Sequence, residues 1–184
     1  IYFVDNIFYG FAQLRISDPD TLTSLLGRFW AVAGILILLV QLLVAGRMLE
    51  RYGVGAVLML LPLALAAGGT LLVAAGLMGG STALLFGLAI GIELARTVLD
   101  ATDQTATNVL FQPLPDQVRT EAQTFVTGIV YPGALGLTGA VLLICFEVFQ
   151  LSLLQVSGVL VLIALLWAGV AYRLGKRYLQ ALAE

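Results

Sequence analysis

The chain has 184 residues, of which 60% are hydrophobic and only 11% charged, with a net charge of −2. Soluble globular domains carry about 25% charged residues, so this composition, with a mean hydropathy of +1.03, excludes a soluble protein and a nucleic-acid binder and indicates an integral membrane protein. Histidine is absent, cysteine occurs once and no nucleophile motif is present, so we expect no disulfide, no zinc or haem site, no cofactor and no enzyme.

The chain begins with an apolar and aromatic run. Because Ile1 already lies inside this run, we expect residues 1–14 to be the end of a membrane helix that starts upstream. Asp5, Tyr9 and Gln13 fall on one face of such a helix. Two interpretations remain open for this face: an interfacial helix end with aromatic anchors, or a polar stripe that lines a cavity.

Five further helices are expected after a short polar loop. In the second helix, Gln41 is the only polar residue of an eighteen-residue apolar stretch, and Arg28 just before it can extend to the membrane surface. The fifth helix carries a glycine stripe that favours close helix approach, and the sixth is aliphatic and predicted to be peripheral. The six predicted membrane helices are 1–14, 21–51, 54–78, 82–110, 120–147 and 151–173.

The fourth predicted helix, 82–110, carries the most informative polar residues. Glu93, Arg96, Asp100 and Asp103 follow one another at three- and four-residue steps, which places them on one helical face. Arg96 lies about 21 Å along the helix at roughly 1.5 Å per residue, near the middle of a hydrocarbon core about 30 Å thick. Charges at that depth face a protein interior or a water-filled cavity.

Three interpretations of this charged face stay open. Glu93 and Asp100 can pair with Arg96 in a self-satisfied network that holds the bundle together. Alternatively, Arg96 binds an anionic group of a substrate, and Glu93 tunes this binding or releases the substrate. Asp100 and Asp103 then form a cytoplasmic gate with Arg119 or with the loop at residues 46–53. In the third interpretation, Glu93 or Asp100 takes up a proton, since a buried carboxylate can titrate near neutral pH.

Basic residues mark one side of the membrane. Cytoplasmic loops of membrane proteins are rich in Lys and Arg, and here the bases occupy alternate loops. This pattern places residues 46–53, the loop before Arg119 and the C-terminus in the cytoplasm. The basic residues that decide the orientation are Arg47, Arg51, Arg119, Arg173, Lys176 and Arg177.

The segment GRMLERYG, residues 46–53, resembles the signature loop of the major facilitator superfamily, with Glu50 at the acidic position. Its place between the second and third helices resembles the C-terminal half of those transporters. The run that ends the fourth helix, FQPLPDQVR, and the glycine-rich helix after it are similar to the ATP/ADP translocase group. The matching positions are Phe111, Pro113, Leu114, Pro115, Arg119, Phe125 and Gly128. The chain departs from that group in having a single lysine, Lys176, which lies at the cytoplasmic end.

The resemblance implies an all-α integral membrane fold, a six-helix bundle that forms one half of a major facilitator. It also implies a secondary transporter of an anionic solute, with nucleotide exchange as the substrate class, in a bacterial inner membrane or else a thylakoid or other organellar membrane. Its partners would be the lipid bilayer and an N-terminal six-helix half or a partner subunit. Alternatives are a non-transporting membrane domain that anchors or regulates a partner or a fused soluble domain, and a channel-like half-bundle that works as a homodimer.

Two groups of candidate residues follow from this interpretation. The expected substrate cavity consists of Asp5, Tyr9, Gln41, Glu93, Arg96, Asp100 and Tyr131. The expected cytoplasmic gate and latch consists of Gly46, Arg47, Glu50, Arg51, Gly53, Asp103 and Arg119.

A latch of this kind stabilises one access state without touching the substrate. Replacing Glu50 with Gln should therefore change the turnover rate or the balance of access states while substrate still binds. Transport kinetics of the full-length protein check this expectation. A variant with unchanged affinity and normal turnover contradicts it.

Overall fold

The computed structural model describes residues 2–112 and 115–181, with side chains described through residue 176. The described chain is helical apart from short turns and loops. The α-helices are α1 (Tyr2–Arg15), α2 (Pro19–Val40), α3 (Gly46–Leu77), α4 (Thr82–Leu110), α5 (Asp116–Phe125), α6 (Tyr131–Leu143) and α7 (Leu153–Ala181). Helices α2, α5 and α6 each continue directly into a π-helical turn; these turns are Gln41–Ala45, Val126–Val130 and Ile144–Val148, respectively. Two positions of the resemblance, Pro113 and Leu114, lie outside the described residues.

Local capping explains where α2 and α7 begin. At α2, the Thr21 backbone N–H donates a hydrogen bond to the Asp18 carboxylate at 2.9 Å, and the Thr21 hydroxyl donates a second one. Pro19 takes the first helical position. Both features are typical of a capped helix N-terminus. The Thr21 hydroxyl and N–H hold the pKa of Asp18 below its usual range. At α7, the Ser152 N–H donates to the Gln155 side chain at 2.8 Å, and the Gln155 N–H donates to the Ser152 hydroxyl at 3.4 Å, which is a capping box.

Helix α4 has the same bounds as the helix expected at 82–110, whereas the fifth and the last helical stretches differ most from the sequence prediction. The fifth helical stretch begins at Asp116 instead of residue 120, because an acidic first turn directly after Pro115 is favourable at a helix N-terminus. Helix α7 continues to Ala181 instead of ending at 173. Arg and Lys are good helix formers, so the basic segment extends the helix.

A break at Gly53 divides the longest helical stretch. Pro19–Leu77 spans 59 residues, or about 88 Å at roughly 1.5 Å per residue, far more than a hydrocarbon core of about 30 Å. Gly53 has φ 76° and ψ 164°, a conformation that only glycine adopts readily. Gly46 is helical (φ −61°, ψ −47°), so the break lies at Gly53, between the helices expected at 21–51 and 54–78.

Helix α3 is the centre of the bundle and packs against both α7 and α4. Added Cβ atoms at Gly55 and Gly76 of α3 would meet Gly175 and Leu154 of α7, respectively, so the two helices run antiparallel from Gly55 to Gly76 of α3. Glycine permits this close approach. The prediction that the last helix is peripheral is therefore wrong.

Helix α1 is short but lies inside the core. Phe8 is fully buried, and its ring lies 4.8 Å from that of Phe29 on α2 and 6.5 Å from that of Phe86 on α4. Val4, Ile7 and Phe8 are among the most buried side chains of the described residues. The apolar face of α1 thus joins α2, α4 and α7 around one hydrophobic cluster.

Two helical stretches remain mostly exposed. Along α2 and its π-helical turn only Ala33 and Ala45 are buried, and along Asp116–Val148 only Cys145 is buried. The glycines from Gly128 to Gly139, expected to accept a neighbouring helix, have no atom within 4 Å of an added Cβ among the described residues. Large apolar faces are therefore available to lipid or to a further membrane segment.

Four helical stretches are long and apolar enough to cross a membrane. They indicate a multi-pass membrane protein. These stretches are Pro19–Leu77, Thr82–Leu110, Asp116–Val148 and Leu153–Lys176.

The packing of α3 on α7 can be tested at Gly175. A Cβ at Gly175 would lie 2.9 Å from the Gly55 backbone, whereas a Cβ at Gly169 on the same helix meets nothing within 4 Å. We expect Gly175→Ala to destabilise the bundle by about 1–3 kcal/mol through overpacking. Gly169→Ala should be neutral or stabilising, by up to about 1 kcal/mol, because Ala is the better helix former.

Reversible unfolding of the two variants in detergent, followed by circular dichroism, measures the difference. Equal stabilities of the two variants would contradict the close contact.

Candidate functional site

The charged face of α4 divides into a buried and a partly exposed part. Glu93 is fully buried and Arg96 is 6% exposed, whereas Asp100 and Asp103 are half-buried. Arg96 lies near the middle of the 29-residue helix. A buried guanidinium at that depth requires partners, because an isolated charge in a low-dielectric interior is strongly disfavoured.

Arg96 finds those partners on two helices. Its Nη2 donates to Asp5 Oδ1 of α1 at 3.0 Å. On α4 itself, Nε donates to Glu93 Oε1 at 3.2 Å, and Nη2 contacts the same oxygen. We call these three residues the charge triad; it joins α1 to α4 through ion pairs in the interior of the bundle.

Thr97 completes the network. Its hydroxyl accepts a hydrogen bond from Arg96 Nη2 at 3.2 Å and donates to the Glu93 backbone oxygen at 2.8 Å. The sequence interpretation did not include Thr97, although its position one residue after Arg96 and four after Glu93 was a usable signal. Thr97 thus adds a third partner to the Arg96 guanidinium, beside Asp5 and Glu93.

The charge triad holds more acid than base. Asp5 and Glu93 together carry two carboxyl groups against the one guanidinium of Arg96. Glu93 Oε2 is buried and has no hydrogen-bond partner among the described residues, which is an uncommon state for a buried polar atom. Asp5 is the accessible member, since its side chain is 21% exposed while those of Arg96 and Glu93 are 8% and 0% exposed.

The expected pairing of Arg96 with Asp100 is not formed. Asp100 accepts a hydrogen bond from Gln104 Nε2 at 3.0 Å instead. Side chains on a helix lean towards its N-terminus, so Arg96 turns back towards Glu93 and across to Asp5. Arg96 therefore has one partner on its own helix, Glu93, and its second partner, Asp5, comes from α1.

The remaining predicted cavity residues do not converge on the triad. Tyr9 is half-buried beside Phe8 on α1. Gln41 is exposed in the π-helical turn after α2. Tyr131 is 53% exposed and lines a small surface cavity with Tyr2. Their role in substrate binding stays a prediction.

The predicted gate is not closed in this structure. Arg119 pairs with Asp116 of its own helix at 2.6 Å, so the expected contact with Asp100 or Asp103 is not formed. Arg47, Glu50 and Arg51 are exposed, and the Arg51 guanidinium lies 5.7 Å from the ring centre of Tyr52. The latch stays a prediction.

A large open cavity lies between α2 and α4, and none of the three triad residues lines it. It has a volume of about 800 Å³, with a polar end formed by Asp20, Thr21, Ser24 and Arg28 and an apolar end that includes Phe29 and Ile90. The sequence interpretation did not group these polar residues. The four-residue steps from Asp20 to Ser24 to Arg28 were a usable signal, because they place the three side chains on one face of a helix. The described residues contain no group of three or more His, Cys, Asp or Glu that could hold a metal ion.

Comparison with known proteins gave no match to a family model, a curated protein or a solved structure.

Removal of Arg96 tests the charge triad. We expect Arg96→Met to leave two buried carboxyl groups without a cation and to destabilise the protein by about 3–5 kcal/mol, as when one partner of a buried ion pair is removed. Arg119→Met is the matched control: it removes an exposed pair, with Arg119 37% and Asp116 90% exposed, and should cost about 1 kcal/mol or less.

Denaturant unfolding in detergent compares the two variants. Equal losses of stability would mean that the triad does not hold α1 against α4.

Proposed function

We propose that this chain is the C-terminal half of a secondary transporter of the major facilitator type, and that it moves an anionic solute by alternating access. The observation that carries the proposal is the charge triad: a guanidinium at mid-depth in the bundle, held by carboxyl groups of two different helices. Such buried ionisable groups in membrane proteins are most often part of a substrate or ion pathway. The N-terminal half, the lipid bilayer and the solute are the partners, and no nucleic acid is involved.

The helix count supports a half of this type. Division of the long stretch at Gly53 yields separate segments before and after it. With α1, α4, the Asp116–Val148 stretch and α7, the described chain then contains six helical segments. The segment 46–53, which resembles the family signature, lies at the junction of the second and third of them.

The exposed helices supply surfaces for the second half. Both α2 with its π-helical turn and the Asp116–Val148 stretch have few buried residues. In transporters built from two repeats, the substrate lies at the repeat interface and the repeats rock against each other. The cavity that Arg28 lines opens between α2 and α4 and provides a route along one of these surfaces.

The triad can bind an anion by exchange of partners. Asp5 is its accessible member, so a carboxylate or phosphate group of the solute can replace Asp5 on Arg96 Nη2. Glu93 keeps its contact with the guanidinium during this exchange. Because one anionic partner replaces another, Arg96 is never left unpaired, which avoids the large cost of a lone buried charge.

One observation favours a second candidate function. Arg96 is already bound by Asp5 and Glu93, so its guanidinium is paired without a ligand. A non-transporting membrane domain would anchor or regulate a partner protein or a fused soluble domain. In such a domain, Arg96 would keep Asp5 and Glu93 as permanent partners and would bind no solute.

Counterflow in liposomes separates the two functions. The full-length protein is reconstituted, and uptake of labelled adenine nucleotides, phosphate and a dicarboxylate is measured against an internal pool of the same solute. We expect saturable exchange of at least one anion and its loss in Arg96→Gln. Asp5→Asn should lower the KM severalfold because it removes the internal competitor for Arg96, whereas the matched change Asp18→Asn, at the exposed cap of α2, should leave the KM unchanged.

Failure of every anion to exchange, beside a working control carrier, would exclude transport of these solutes and favour the anchoring function. Exchange of phosphate or dicarboxylate without nucleotide would keep the transporter and exclude nucleotide as its substrate.

A further inference from the structure

The open cavity of about 800 Å³ between α2 and α4 combines a polar end with an apolar end. Charged and hydroxyl side chains near the start of α2 form its polar end; these belong to Asp20, Thr21, Ser24 and Arg28. The apolar end includes Phe29 of α2 and Leu94 of α4. A ligand that fits this cavity therefore has one polar and one apolar part.

An apolar groove continues the cavity along the same two helices. It has a volume of about 380 Å³ and lies between Leu36 and Val40 of α2 and the stretch 91–99 of α4. Leu94 lines both the cavity and the groove, so the two adjoin. From Phe29 to Val40 the apolar part follows α2 for about 16 Å at roughly 1.5 Å per residue. This length matches one lipid leaflet, which is half of a hydrocarbon core about 30 Å thick.

Arg28 lies where the lipid headgroups are expected. No Asp, Glu, Lys or Arg occurs in residues 29–46, a stretch about 27 Å long at roughly 1.5 Å per residue and thus close to the thickness of a hydrocarbon core. Arg28 is the last charged residue before this stretch. Trp30, two residues later, is 38% exposed, and exposed Trp is typical of a membrane interface. The polar end of the cavity then faces headgroups, and the groove faces acyl chains.

The two charged residues of the polar end are available to a ligand. Among the described residues, neither Asp20 nor Arg28 forms an ion pair, and both are exposed. Asp20 lies about 12 Å nearer the start of α2 than Arg28, at roughly 1.5 Å per residue, and a long side chain on a helix leans towards that start. An acid on the outer side and a base on the inner side complement a zwitterionic headgroup, in which the ammonium lies outside the phosphate.

We propose that this cavity and its groove bind one phospholipid with an ethanolamine headgroup. The phosphate contacts the Arg28 guanidinium through charge-assisted hydrogen bonds, and the ammonium contacts the Asp20 carboxylate. One acyl chain lies in the groove along Leu94. The lipid site does not depend on the proposed transport function.

The polar end also discriminates among headgroups. The primary ammonium of ethanolamine donates hydrogen bonds to a carboxylate, whereas the quaternary ammonium of choline is bound by aromatic rings. Phe29, the aromatic residue of the cavity, lies beyond Arg28 from Asp20, and its ring packs on that of Phe8 at 4.8 Å. Phosphatidylglycerol has no cation for Asp20. We therefore expect phosphatidylethanolamine to bind more tightly than either of the other two lipids.

Native mass spectrometry of the full-length protein tests the headgroup contacts. The protein is delipidated in detergent and mixed with equal amounts of phosphatidylethanolamine, phosphatidylglycerol and phosphatidylcholine. We expect the first lipid to be retained preferentially. Arg28→Gln should weaken its binding about tenfold or more, the loss that accompanies removal of one hydrogen bond to a charged group. Asp20→Asn should remove the preference over phosphatidylglycerol, because the carboxylate that discriminates between the two is gone.

Matched controls for the headgroup contacts come from the chain directly before the cavity. Arg15→Gln and Asp18→Asn change exposed residues of the same types that do not line the cavity. Asn also keeps the capping function of residue 18. Both control variants should bind phosphatidylethanolamine as the native protein does.

A further variant tests the groove separately from the headgroup. Gly91 lines the groove, and an added Cβ there meets nothing within 4 Å, so the larger side chain of Gly91→Leu can enter the groove. This variant should weaken lipid binding severalfold. Gly34→Leu on α2 is the matched control, because Gly34 is equally open but lines neither the cavity nor the groove.

Three results would overturn the lipid site. These are equal retention of the three lipids or of none by the native protein, unchanged binding in both Arg28→Gln and Gly91→Leu, and equally tight binding of phosphoethanolamine, the headgroup without acyl chains. Because the variants change exposed residues at separate positions, poor folding of one leaves the others as tests.

Liposome counterflow separates the lipid site from the proposed transport function. Retention of phosphatidylethanolamine without exchange of any anion would support the lipid site and contradict the proposed function. Anion exchange without a lipid preference would support the function and overturn the lipid site. Displacement of the lipid by the exchanged anion would identify the cavity as the route of the solute and equally overturn the lipid site.

Discussion

Burial of the Arg96 guanidinium is the constraint on which the arrangement of α1 and α4 depends. A charge in the interior of an apolar bundle is tolerated only with close partners. Glu93, one turn earlier, supplies one partner, and Asp5 supplies the other from a different helix at 3.0 Å. The ion pairs thus set the position of α1 against α4, and the apolar face of α1 around Phe8 completes the contact.

The remainder of the bundle is organised by close backbone packing. Helix α3 lies against α7 with Gly55 and Gly175 in contact at one end and Gly76 near Leu154 at the other. Helices in a membrane gain little from the hydrophobic effect, so dispersion contacts at small residues take its place. This firmly packed group of α1, α3, α4 and α7 contrasts with α2 and the Asp116–Val148 stretch, whose apolar faces remain open.

The contrast bears on the proposed function, because alternating access needs both a packed group that carries the charges and an open surface that can accept a second half. In the proposed function, the triad supplies a charge that can change partners. This exchange depends on Asp5, the one triad member with appreciable exposure. If Asp5 instead stays bound to Arg96 permanently, the ion pair serves only to hold α1 against α4.

The sequence alone determined the all-helical class and the long apolar segments that could cross a membrane, because a helix satisfies the backbone hydrogen bonds of such a segment within the segment itself. It also determined the bounds of α4 and the pairing of Glu93 with Arg96, since both depend on local spacing along one helix. Only the tertiary structure selected Asp5 over Asp100 as the second partner and packed α7 closely against α3. Those outcomes depend on contacts between residues far apart in the chain, such as Asp5 with Arg96 and Gly55 with Gly175, for which helical periodicity contains no information.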